Sequence, residues 1–186
     1  MESSLLAGWD NFYVIAGGAA GGLTGLTFVV ISLAADAHRV KHVAVKAFVT
    51  PTIVHFGAVL ALAAYLTMPH HTIASLSFGL GFVGLAGLIY VATIATGIHR
   101  LRGDYAPVLE DWLWNVILPA LCFCALLTLA FLFSSKPKQC PYGIAAAIML
   151  LMIVGIHNAW DIAVWNSVKQ SDAAPRPGAG GDDSAQ

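Results

Sequence analysis

His157 and Asp161 stand four residues apart inside a long apolar run, MLLMIVGIHNAWDIAVW. On a helix that spacing puts an imidazole and a carboxylate on one face, within reach of each other. A charged group near the centre of a membrane helix costs on the order of 2.5–3.5 kcal/mol, and the cost falls toward the interface. Such a group needs a reason to be there. Asn158 adds an amide beside the pair, and His55 supplies a second imidazole in another apolar run, TPTIVHFGAVLALAAY. At 1.5 Å per residue, His55 and His157 each lie roughly 12–13 Å from the same membrane face.

Three chemistries are open to such a set. One is a proton relay through His55, His157 and Asp161. A second is a metal site built from the same imidazoles and carboxylate, and a third is axial ligation of a haem by the two histidines. No spacing signature such as HExxH accompanies them, so the cofactor is left unassigned. The structural alternative is a polar cluster that holds helices together, at roughly 0.6 kcal/mol per contact.

Pro119 lies in a further apolar run. It lacks an N–H and its ring clashes with the carbonyl four residues earlier, that of Asn115. A kink there would set Asn115 near the depth of Asp161 and add an amide to a polar lining. Neighbouring helices can also re-satisfy such a break without any further role. Glu110 and Asp111 precede this run and suit the positive end of a helix.

The remaining histidines carry less. His38 and His42 belong to a basic segment, and His99 to IHRLR, which suits anionic headgroups. His70 and His71 occupy the short turn MPHHT, as a polar turn or as a site for metal or protons. Cys122, Cys124 and Cys140 form no CxxC motif and read as packing residues and one incidental thiol. No Ser-His-Asp order, phosphate loop or catalytic carboxylate pair is present, and the soluble loops are short. The expectation is a protein that is not an enzyme.

These residues must be positioned by membrane helices. The chain has 186 residues, of which 58% are hydrophobic and 10% charged, against about 25% charged in soluble domains. Mean hydropathy is +0.77. Such a chain must count lipid among its solvents. A net charge of −1 offers no basic surface for nucleic acid. The N-terminus lacks the basic n-region of a secretory signal, so the first span is expected to be retained.

Spans are predicted over residues 12–35, 47–67, 73–97, 112–134 and 142–166, each near the ~20 residues a bilayer requires. Trp9, Phe12, Tyr13, Trp112, Trp114, Trp160 and Trp165 mark the span ends as an interfacial belt. Arg39, Lys41, Lys46, Arg100, Arg102, Lys169 and Arg176 fall on one side, and Lys136 and Lys138 on the other. The positive-inside rule then puts the N-terminus out and the C-terminus in the cytosol. Residues 1–168 form one five-helix membrane domain. Residues 169–186, rich in Pro, Gly, Ala and Asp, are expected to be a disordered cytosolic tail.

The first span, YVIAGGAAGGLTGLTFVVISL, places Gly17, Gly21 and Gly25 on one helix face with Gly18 and Gly22 beside them. Small residues let membrane helices approach closely, within one protomer or across an oligomer seam. The run WDNFYVIAGGAAGGLTGLTFVVISL resembles the opening of a family of small, uncharacterised bacterial multi-pass membrane proteins, in which an LTGLxFVxxSL-type run follows a glycine-rich stretch. The segment YAPVLEDWLWNVILP is similar to that family as well. The resemblance implies a bacterial inner-membrane location and brings no activity with it.

The sequence thus predicts an all-α membrane bundle in contact with lipid and expected to form a homo-oligomer. Its leading function is a channel or transport-like protein whose polar pathway includes His55, Asn115, His157, Asn158 and Asp161. A non-transporting accessory subunit is the alternative. A haem- or metal-binding protein using His55 and His157 is the third reading.

Overall fold

The structure, a computed structural model, describes residues 5–36, 50–100 and 109–173. Among these it is all-helical: α1 Asp10–Asp36, α2 Thr50–Leu66, α3 Ile73–Arg100, α4 Leu109–Leu132 and α5 Cys140–Ala173. Four of them (α1, α3, α4 and α5) are long and apolar enough to cross a membrane, and α2 is a shorter apolar helix of 17 residues. The five predicted spans each coincide with a helix. The helix α5 continues through Ala173, into the first residues of the expected tail. Residues 174–186, together with His38 and His42, lie outside the described residues.

The outside of the bundle is as apolar as its core. Phe78, Phe82, Leu85 and Ile89 recur at helical spacing along α3 and are all more than half exposed. A soluble protein of this size does not expose such a continuous apolar stripe, whereas lipid solvates it. Lipid also removes the hydrophobic drive between helices, leaving close packing to hold them together. Glycines supply that packing. Gly155 of α5 lies under the ring of Phe56, Gly87 of α3 lies under Phe123, and Gly84 meets the backbone of α4 itself at Phe123 and Leu127.

These contacts set an order that differs from the chain order. Most of the packing of α3 is on α4, and that of α1 is on α2; α5 sits between α2 and α4, with lighter contact to α1. On α2, successive residues therefore serve different neighbours. Phe56 packs on α5 at Gly155, while the ring of His55 lies against Phe123 of α4.

The turn between α2 and α3 is closed by a small network. Tyr65 donates its hydroxyl to the Ser75 carbonyl at 2.7 Å. Nε2 of His71 is 2.8 Å from the Tyr65 carbonyl, and Nδ1 is 3.2 Å from Oγ of Ser75. Both ring nitrogens of His71 are thus engaged within the turn, which favours the polar-turn reading for this residue. His70 beside it is exposed and adopts φ 62°, a conformation uncommon outside glycine. Thr72 and Ser75 then form a reciprocal cap: the Ser75 N–H donates to Oγ1 of Thr72 at 3.1 Å, and the Thr72 N–H to Oγ of Ser75 at 3.0 Å. That arrangement satisfies two free donors at the start of α3. Thr72→Ala should lower stability by about 1 kcal/mol, read as a lower melting temperature in detergent. An unchanged melt would mean that water or headgroups replace the cap.

Candidate functional site

Proline chemistry decides how α4 presents its side chains. Pro119 cannot donate to the carbonyl of Asn115 and crowds it. The helix responds over Leu113–Ile117 by widening into a π turn, in which the Leu118 N–H reaches the carbonyl of Leu113. Single π turns of this kind insert one residue into the helical register and are frequent at functional sites. Here the turn carries Trp114 and Asn115, and both meet α5.

Trp114 stacks on His157. The two ring centroids are 3.7 Å apart and the planes differ by 8°. Next to that stack, Nδ2 of Asn158 donates to Oδ1 of Asn115 at 3.3 Å, and Nδ2 of Asn115 donates to the Asp111 carbonyl at 3.1 Å. The inserted residue of the π turn lets consecutive positions on α4 serve consecutive positions on α5.

His157 is placed between two carboxylates. Nδ1 lies 3.3 Å from Oδ2 of Asp161 on the same helix, and Nε2 lies 3.8 Å from Oε1 of Glu110 on α4. The spacing of His157 and Asp161 predicts the first contact. The contact with Asp161 is at ion-pair distance but lacks hydrogen-bond geometry, since Nδ1 is buried without a hydrogen-bond partner. The Glu110 carboxylate adds a second acid that sequence reasoning assigned only to the helix end. The sequence carries a signal for it: Glu110 precedes Trp114 by four residues, so both fall on one helix face.

Exposure falls in steps through this cluster. The side chains of Glu110 and Asp161 are 69% and 54% exposed, that of His157 is 24% exposed, and Asn158 and His55 are buried. The acids face outward and the imidazole sits behind them. The amides close the inner side.

His55 is the deepest of these groups. Its neighbour Phe56 lies against Gly155, two residues before His157. Its direction does not lead to His157: the ring contact is with Phe123, at 6.5 Å between centroids, and Nδ1 has no hydrogen-bond partner. Among the described residues no three His, Cys, Asp or Glu side chains gather closely enough to hold a metal ion. His55, His157 and Asp161 therefore do not converge as a ligand set.

The glycines of α1 divide into two groups. A Cβ on Gly17 would stand 3.0 Å from that of Ala63 on α2, and one on Gly21 would stand 3.8 Å from Leu60. Gly18, Gly22 and Gly25 have nothing within 4 Å. Two of the five glycines are used inside the protomer and three are open. Thr24, Thr27 and Ser32 return their hydroxyls to carbonyls of α1 itself. Cys122 and Cys140 are buried and Cys124 is exposed, all as free thiols. Cys140 opens α5, and its N–H donates to the carbonyl of Lys136, so it belongs to the packed helix end and not to a loop.

No family model matches this chain, and neither do curated proteins or solved structures.

Proposed function

We propose that this is a multi-pass membrane protein that moves protons or small cations through a polar inlet at the α4–α5 junction. The observation that supports it is the graded order from exposed Glu110 and Asp161, through half-buried His157, to buried Asn158 and His55. Carboxylates at the rim draw cations inward, and an imidazole between them can accept and release a proton. The buried Asn158 amide, bonded to Asn115, continues the polar character inward. This arrangement fits an inlet on the cytosolic side, with the N-terminus outside and the C-terminus inside, an orientation that the distribution of Lys and Arg supports.

The open face of Gly18, Gly22 and Gly25 suits association with a second copy, because it lets two membrane helices approach closely. A homo-oligomer would supply the pathway walls that five thin helices leave incomplete. The resemblance of the first span to small bacterial membrane proteins supports an inner-membrane location.

The test is flux. In proteoliposomes, His157→Ala and Asp161→Asn should abolish pH-dependent ion movement while leaving the protein assembled. Flux that persists in both variants would remove the pathway from this site. A second reading is favoured by the Asn115–Asn158 bond and the Trp114–His157 stack, which also serve as glue between α4 and α5. In a purely structural accessory subunit, Asp161→Asn would lower recovery of the complex, and the purified protein would pass no ions.

A further inference from the structure

We propose that the Trp114–His157 stack is a proton-operated latch that tightens the α4–α5 junction when His157 is charged. It takes from the proposed pathway only that His157 exchanges protons with water, and it needs no ion flux. Parallel rings at 3.7 Å put the imidazole over the electron-rich face of the indole, and a cation there is attracted to the ring quadrupole. The neutral imidazole gains much less. Two carboxylates also stand at ion-pair distance from the ring, Glu110 from α4 and Asp161 from α5.

The partners sit on different helices, so the charge on His157 acts on the junction itself. Trp114 and Glu110 belong to α4, and His157 and Asp161 to α5. The α4 side of the contact is the π turn, an irregular stretch of the kind frequent at functional sites. The other bond across the junction, between Asn158 and Asn115, is long at 3.3 Å. The helices α1 and α2 also pack on α5. Among the described residues neither contributes an ion pair to His157, and His55 of α2 turns to Phe123. Protonation therefore closes the latch at low pH, and deprotonation loosens it as pH rises.

The latch can be read from Trp114 itself, because a charged imidazole stacked on an indole quenches its fluorescence. The full chain in detergent is scanned from about pH 8 to about pH 5, recording tryptophan emission and the melting temperature. Emission should fall and the melting temperature should rise as pH falls. Both changes should vanish in His157→Gln, and the emission change should vanish in Trp114→Phe. The acids Glu110 and Asp161 are largely exposed, so Glu110→Gln and Asp161→Asn will fold. Both should keep the emission change, because the Trp114–His157 stack remains in place. A pH-independent emission from Trp114, or a melting profile unchanged in His157→Gln, overturns the latch. Flux lost in His157→Gln without any Trp114 signal keeps the pathway and removes the latch. The Trp114 signal without flux does the reverse.

Discussion

Leucine at position 84 should prevent the bundle from assembling, whereas leucine at position 22 should leave the protomer folded. A Cβ on Gly84 would stand 2.8 Å from the Leu127 nitrogen and 2.9 Å from the Phe123 carbonyl oxygen. Those are backbone atoms of α4 and cannot rotate aside. Overpacking of a fitted core costs about 1–3 kcal/mol, and here even the first carbon of the new side chain separates two helices. Gly84→Ala should lose about 1–3 kcal/mol, slightly offset by the better helix propensity of alanine. Gly84→Leu should yield aggregated protein. A Cβ on Gly22 would meet nothing within 4 Å among the described residues, so the same change meets no packed helix at its first carbon. Gly22→Leu should melt like the wild type and lose oligomer mass in native mass spectrometry. A normal melt for Gly84→Leu would mean that α3 and α4 do not cross at this point. Retained oligomer mass in Gly22→Leu would place any self-association elsewhere.

Replacing His55 by leucine should leave stability intact or raise it, and proteoliposome flux tests whether His55 belongs to the proposed pathway. The ring is buried, Nδ1 has no hydrogen-bond partner, and Phe123 lies beside it. A buried polar atom without a partner carries a desolvation penalty of about 1–3 kcal/mol. Leucine removes that penalty at similar volume. The measurement pairs a thermal melt with proteoliposome flux for the same His55→Leu preparation. A strongly destabilised variant would show that the imidazole makes contacts essential to the fold. A stable variant with wild-type flux would remove His55 from the pathway and leave the inlet at His157.

The two histidines show how far a single chain can be read. Their expected depth follows from counting residues at 1.5 Å each along a helix, and in the structure Phe56, next to His55, packs on Gly155, two residues before His157. Their mutual orientation depends on rotation. One residue of helix is about 100°, so His55 faces α4 while Phe56 faces α5. No periodicity announces that difference, because α2 is apolar on every side and has no polar face to orient it. Pro119 is a related case. Its disturbance of α4 follows from the missing N–H, but the response could be a kink or a widened turn. Packing against α5 selected the π turn, since that register delivers both Trp114 and Asn115.

What the sequence determined by itself is local and additive. Helix positions follow from apolar run length, the His157–Asp161 contact from an i, i+4 spacing, and close packing from small residues. What only the tertiary structure decided is which helices are neighbours: α5 between α2 and α4, Glu110 brought to His157, and Gly18, Gly22 and Gly25 left open while Gly17 and Gly21 meet α2. In lipid every apolar helix face is equally content, so hydropathy cannot choose among neighbours. Shape complementarity and a few polar contacts make that choice, and both exist only once the helices are together.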